Sequence, residues 1–432
     1  MDLAPIVALA AAVPPGSFAS YKVWRRVSFP QRATRTLSKL WDPTQKRDEQ
    51  PKLRACRPGV HTWTLAWKMP TGAPTEEWQS RVDAIGEALN CSVVVWYDGG
   101  RTWMRLGVKR MPKRVTYADF YRAKRPAGQL VVGVGESHEG KIWVDFAELP
   151  HLLVAGMNNS GKSRALAQMI VNIAEIYSPE QVRMLLIDLK GKGAPEFSRY
   201  AGLPHLDAPP IGDLESCKRA LAQLESEMNE RYLFITASGC TDLNEYNQRH
   251  PEAPLPRKLV IIDEFADLSQ GLNQAEQRAF ERLVRELRGC GVHLVLATQR
   301  PDANVVPGQI RNNMGAILGF RVGNRTTSEV MLGDGHAAAA SLPPHQPGLG
   351  IWQYGKGLEL RVRGIFLSPA EAEERVRLLS RLPVFSSLSP QRGEERELPA
   401  LEAPELPAVG DFSPLTAVWH NVLARAGVST RW

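Results

Sequence analysis

A chain of 432 residues is longer than one hydrophobic core usually supports, and 43% apolar with 23% charged content is ordinary for globular protein. Wholesale disorder is therefore excluded, and two or three domains are expected. Lysine and arginine number 53 against 46 acids, a net charge of +7 that favours an anionic partner without choosing between nucleic acid and a membrane surface.

Residues 1–57 read as a basic leader, with Lys22, Arg25, Arg26, Arg32, Arg35, Lys39, Lys46, Arg47, Lys52, Arg54 and Arg57 and few acids. Its apolar start, 3–13, is shorter than the ~20 residues that span a bilayer, and prolines interrupt it. Extension through Tyr21 approaches that length and would leave the basic cluster on the cytoplasmic side. A marginal anchor with weak membrane association stays open beside phosphate contact.

Residues 58–128 read as a small α+β adaptor module. The stretch 60–69 alternates as a strand, and Thr75 can cap a helix that places Trp78, Val82, Ile85 and Leu89 on one face. Strands over 93–97 and 102–109 flank a DGGR turn at 98–101, a good hairpin signal. No catalytic constellation falls here, and Trp63, Trp67, Trp78, Trp96 and Trp103 are expected to be core.

The chemistry is expected between 129 and 382. Strands over 131–134 and 141–144 lead into the apolar run HLLVA at 151–155, then GMNNSGKS at 156–163. The pattern G-x-x-x-x-G-K-[ST] needs glycine at both ends because the backbone must wrap an anion with its N–H groups pointing inward. Gly156, Met157, Asn158, Asn159, Ser160, Gly161, Lys162, Ser163 and Arg164 are the expected nucleotide cradle. Within it Lys162 reaches the β- and γ-phosphates and Ser163 offers a hydroxyl to Mg²⁺, while the following helix turns its positive end toward ATP.

The run LVIIDE at 259–264 delivers two carboxylates at the end of a buried strand, with Asp263 expected to hold Mg²⁺ and Glu264 to polarise the attacking water. Next, VHLVLA at 292–297 runs into Gln299, placed to sense the γ-phosphate. Alternating β and α elements imply an open parallel sheet with helices on both faces and the nucleotide at the strands' C-terminal ends. A hairpin over 350–354 and 358–362 and a helix over 369–379 follow. Residues 383–432 form a proline- and glutamate-rich tail with a short amphipathic segment at 415–424. The five cysteines, Cys56, Cys91, Cys217, Cys240 and Cys290, are odd in number and never spaced C-x-x-C. They support neither a disulfide framework nor a zinc site and fit a reducing cytoplasm.

In this order, GMNNSGKS, LVIIDEFADL and GVHLVLATQRP resemble the FtsK/SpoIIIE branch of the FtsK–HerA DNA-pumping ATPases. Weaker matches are PHLL at 150–153, LIDLK at 186–190, PHL at 204–206 and EMNERY at 227–232 followed by Tyr246 and Asn247. The resemblance covers roughly 130–368. It implies an α/β fold, a RecA-like P-loop NTPase with a mainly parallel sheet, assembled as a homo-hexamer that moves double-stranded DNA through its pore at the expense of ATP. Family motors commonly carry an arginine just before the strand at 317–321, where this chain has Ile317. Arg288 and Arg311 are the remaining candidates for a trans-acting arginine, worth ~10³–10⁵ in rate where one operates. By family position, DNA contacts are expected at 236–241 and 300–311. The tail is expected to be too short for the winged-helix DNA reader of chromosome-partitioning relatives. The expected role is therefore duplex translocation in plasmid or integrative-element transfer. The alternative is a coupling ATPase that delivers single-stranded or relaxase-bound substrate to a secretion channel. Either would work in the cytoplasm or at the inner face of the cell membrane.

Overall fold

The computed structural model describes residues 52–58, 62–68, 82–89, 91–98, 100–107, 111–190, 196–303, 305–355 and 358–381. The leader before Lys52, the capping segment around Thr75 and Trp78, and the tail after Arg381 lie outside the described residues.

Four strands, β1 (Lys52–Pro58), β2 (Thr62–Lys68), β3 (Ser92–Asp98) and β4 (Arg101–Gly107), make an antiparallel sheet in the order β1-β2-β4-β3. Helix α1 (Val82–Leu89) covers it with Ile85 and Leu89 against Leu65, Trp67, Val93, Val95, Met104 and Leu106. The module is thus the expected α+β unit with Trp67 in its core. One boundary is corrected: β1 pairs with β2, so residues placed in the basic leader form an edge strand. Its sequence, KLRACRP, hides the strand because charged residues break the apolar alternation.

A second boundary shifts as well. Strand β5 (Val115–Thr116) and helix α2 (Tyr117–Tyr121) fall inside the 58–128 module by sequence. Yet Val115, Tyr117 and Phe120 are buried in the core of the larger body. Strands β6 (Val131–Ser137) and β7 (Gly140–Asp145) then lead into β8 (His151–Ala155), all five residues of which are buried. Helix α3 (Lys162–Ile176) returns to β9 (Val182–Asp188).

Long helix α4 (Leu214–Ala237), capped by Asp213 accepting from Ser216 N at 2.8 Å, is followed by α5 (Leu243–Arg249) and β10 (Arg257–Asp263). Helices α6 (Phe265–Gly271) and α7 (Gln274–Glu286) separate β10 from β11 (Val292–Thr298). The chain continues through α8 (Gly308–Asn313), β12 (Ala316–Phe320), α9 (Arg325–Leu332), the hairpin of β13 (Leu349–Tyr354) and β14 (Leu358–Phe366), and α10 (Pro369–Leu379).

The principal sheet runs β7-β6-β14-β13-β12-β8-β11-β10-β9, with β5 beside β14. From β9 to β12 every neighbouring pair is parallel, and from β12 to β7 every pair is antiparallel. The parallel half explains the unbroken apolar runs, because helices cover both faces. Leu152 and Val154 enter the core beneath α3, while Leu153 and Ala155 enter the core that also holds α4 and α7 residues. The antiparallel half is the part that the β/α alternation did not convey.

Strand β8 lies between β11 and β12, and the chain leaves it for the far edge at β9 before working back through β10 and β11. Connections on either side of β8 therefore diverge and open a crevice at its C-terminal end. The loop 156–161 fills that crevice.

Candidate functional site

Two glycines shape the loop after β8. A Cβ on Gly156 would sit 2.6 Å from Phe320 Cβ, and one on Gly161 would sit 2.9 Å from Gly348 Cα, in a backbone conformation with φ +125°. Neither position accepts a side chain. Gly348 N donates to Ser160 O at 2.7 Å and Met157 N donates to Arg321 O at 2.9 Å, so the loop is held at both ends. Asn158 and Asn159 between them are exposed, and Asn159 has φ 59°.

The loop opens on a cleft of about 890 Å³, lined by Met157, Asn158, Asn159, Gly161, Lys162, Ser163, Arg164, Lys190 and Gln299, with Phe320, Pro347, Ile365 and Phe366 as its apolar wall. Lys113, Arg114 and Arg363 also line it, so among the described residues cations greatly outnumber the one acid, Glu196, which pairs with Arg164 at 3.3 Å. Arg114 lies over the Phe366 ring at 4.1 Å. A closed glycine turn, a helix N-terminus and an excess of cations fit a polyphosphate, and the volume fits a nucleotide.

The strand ends supply the reactive groups. Asp263 closes β10 and is 1% exposed. Lys162 Nζ donates to its Oδ1, and Lys190 Nζ donates to its Oδ2 at 2.7 Å. Burial opposes ionisation of Asp263, but the two ammonium groups outweigh it and hold its carboxyl below the usual range. Asp188 ends β9 directly beside Asp263 in the parallel register. Burial and then the Asp263 charge push its carboxyl up, and its Oδ2 has no protein partner.

Glu264 follows with φ 64°, unusual for a residue with a side chain. Its carboxylate accepts from Thr298 Oγ1 at 2.9 Å and from Gln299 N at 3.2 Å, and lies 4.0 Å from Lys162 Nζ. The acid is thus swung from the end of β10 across to the end of β11.

Lys162, Asp263, Glu264 and Gln299 converge at one sheet edge with the 156–164 loop. Ser163, half-buried in the first turn of α3, lines the same cleft. Among the described residues no group of three or more His, Cys, Asp or Glu is arranged to hold a metal ion. That donor set fits Mg²⁺ nonetheless, because Mg²⁺ beside phosphates usually takes only one or two carboxylates and keeps several waters.

The arginine candidates lie elsewhere. Arg288 is exposed in the turn before β11, near the N-terminal edge of the sheet. Arg311 is half-buried and donates to Val330 O at 2.7 Å, which ties it to α9. The two expected DNA segments are also apart. Residues 236–241 join α4 to α5, where Leu243 N donates to Gly289 O at the N-terminal edge, whereas 300–311 leave the C-terminal edge after Gln299.

Asp188, Lys190, Thr298 and Arg363 had no assigned role from sequence. The first two follow an apolar strand, LLID, just as Asp263 does, and that signal could have placed them. Arg363 comes from the antiparallel half and had no such signal. Conversely, the EMNERY run is remote from the cleft. Arg231 donates to Glu227 at 2.9 Å and to Pro256 O at 2.7 Å, and Lys258 bridges Glu227 and Asp207, making a buried structural network.

Fold and site together define a P-loop nucleotide-binding protein of RecA-like α/β architecture. Residues 118–303 match the model of the FtsK/SpoIIIE family. DNA translocase FtsK of Mycobacterium tuberculosis (strain CDC 1551 / Oshkosh) is 36% identical over 274 residues, covering 60% of this chain and 32% of its own. The Staphylococcus epidermidis (strain ATCC 35984) FtsK is 34% identical over 278 residues, covering 61% and 34%. The chain thus spans about a third of the length of these curated relatives. The pCW3 conjugation coupling protein TcpA shares the fold at TM-score 0.53 and 22% identity, covering 82% of this chain and 99% of that one.

Proposed function

We propose that this chain is an ATP-hydrolysing DNA translocase motor. The observation that carries the reading is the meeting of the glycine loop, Lys162, Asp263, Glu264 and Gln299 at one edge of a parallel sheet, in a chain whose residues 118–303 match the FtsK/SpoIIIE family model. Gly156 to Arg164 wrap the ATP phosphates, and Lys162 leaves Asp263 to reach the β- and γ-phosphates. Ser163 and Asp263 would hold Mg²⁺, which would supply neutralisation of charge on the transferring phosphoryl group. Glu264 orients and deprotonates the attacking water, and Gln299 reads whether the γ-phosphate is present.

Assembly as a homo-hexamer, with Arg288 or Arg311 reaching a neighbour's nucleotide, belongs to this proposal. So do a cytoplasmic location, including the inner face of the membrane, and service in plasmid or integrative-element transfer. The described residues contain no helix long and apolar enough to cross a membrane. The test is displacement of a triplex-forming strand from linear duplex with ATP, comparing the parent with Lys162→Ala. Displacement by the parent alone is expected. ATP turnover stimulated by single strands but not by duplex would favour the coupling ATPase that delivers single-stranded or relaxase-bound substrate.

A further inference from the structure

Asp263 faces more positive charge than its proposed duty requires. Both oxygens of its buried carboxylate are engaged by lysines, Oδ1 by Lys162 and Oδ2 by Lys190 at 2.7 Å. Lys162 has a second destination in the phosphates, since it opens α3 on the cleft. Lys190 sits just past β9, and its side chain is 27% exposed and also lines the cleft. The other charged groups beside this cluster are Glu264, 4.0 Å from Lys162 Nζ, Asp188 in register with Asp263, and Asp267 at the start of α6.

A hydrated divalent cation at Asp263 needs the same oxygens and carries the same sign of charge. Departure of Lys162 toward phosphate frees only Oδ1. An ammonium retained on Oδ2 would face Mg²⁺ across one carboxylate, in a site where burial strengthens the repulsion.

We propose that Lys190 is a positioning residue whose ammonium holds Asp263 and must leave it before Mg²⁺ engages. It thereby makes cation entry conditional on nucleotide. Lys190 swings into the cleft it already lines, toward Glu196 on the same wall. The inference rests on the nucleotide-binding reading of the cleft.

The experiment uses the full chain and a fluorescent nucleotide, mant-ATP, titrated with Mg²⁺ and separately in EDTA, for the parent, Lys190→Met and Lys190→Arg. Lys190→Met keeps the aliphatic stem and removes the competing ammonium. Its Mg²⁺ midpoint should fall about ten-fold, the lower end of a charge-assisted hydrogen bond's worth, while binding in EDTA stays within about two-fold. Lys190→Arg should keep the parent midpoint. Thermal melting without nucleotide verifies that each variant is folded.

A Lys190→Met midpoint that is unchanged or raised overturns the proposal. So does lost affinity in EDTA, which would make Lys190 a plain phosphate ligand. If Lys190→Met fails to fold, a parent-like midpoint in Lys190→Gln overturns the proposal and a fall there sustains it. A parent that binds no mant-ATP at any Mg²⁺ concentration sinks the nucleotide reading itself, which is a different result from a parent that binds beside an unshifted variant.

Discussion

Replacing Thr298 by valine tests whether the placement of Glu264 matters to turnover. Thr298 is fully buried, and its hydroxyl donates to Glu264 Oε1 at 2.9 Å while accepting from Arg300 N at 3.0 Å. Valine keeps the branched shape and deletes the hydroxyl. A hydrogen bond to a charged group is worth ~1.5–3 kcal/mol, so about that much of the orientation of the carboxylate is lost. If the full amount appears in the chemical step, kcat falls ~10–100-fold. Thr298 does not line the cleft, so mant-ATP affinity should stay within about three-fold. The assay is steady-state ATPase with saturating DNA beside equilibrium nucleotide binding, with Thr298→Ser as the control that restores the donor. A Thr298→Val enzyme with parent kcat, or one that loses affinity in step with kcat, would refute the role given to Glu264's position.

The other two expectations concern the opposite edge and the DNA. His151 is buried, and its ring accepts from Leu294 N at 3.0 Å and pairs with Val284 O at 2.7 Å, an arrangement that requires the neutral form. Burial pushes its pKa down to about 4. The unfolded chain then binds the proton first, so His151 contributes full stability above its ordinary value near 6.5 and loses it as pH falls toward 4. Moving from pH 7.5 to 5 should cost about 2 kcal/mol, read as a fall in melting temperature that is shallower in His151→Asn; equal slopes would contradict it. Arg300 is exposed after β11, whereas Arg311 is tied to Val330 O. Arg300→Ala should therefore weaken DNA-stimulated ATPase and lower the log–log salt slope by about 1, whereas Arg311→Ala should lower the melting temperature and leave that slope at the parent's value. An Arg300→Ala salt slope equal to the parent's would remove that segment from the DNA path.

Elements whose physics is local were legible from the sequence. Strand β8 and its loop, β10 with its paired acids, and β11 with Gln299 are continuous apolar runs that end in polar residues, and each emerges at the expected edge. Less legible were contacts made by distant segments. Gly348 clasps Ser160 from 188 positions along, and Arg363 enters the cleft from a strand that reads as half of a plain hairpin. Strand β1 was hidden by its charges, and β5 by being only two residues long. Lys190 belongs to a run, LIDLK, that resembles the family's, but its proximity to Asp263 depends on β9 and β10 being neighbours in register. Spacing of 73 residues cannot convey that.

The backbone at Glu264 connects these observations. A side-chain-bearing residue at φ 64° costs of order 1–2 kcal/mol, and such a conformation persists only where its surroundings over-determine it. Here the determinants are the Thr298 hydroxyl at the end of β11 and the Gln299 amide just past it. An extended Glu264 would have continued β10 and turned its carboxylate to the sheet face opposite the Asp263 side chain, which meets Lys162. The turn instead places the acid between the strand carrying Asp263 and the strand carrying Gln299, where a water in front of a phosphate held by Lys162 would stand. The same hydroxyl accepts from Arg300 N, in the segment expected to touch DNA. A shift of residues 300–303 under a DNA load would thus pull on one of the two donors that fix the side chain of Glu264. On this argument, DNA stimulation should be smaller in Thr298→Val than in the parent, over and above its lower basal rate. Equal fold-stimulation in the two would separate the DNA segment from the acid.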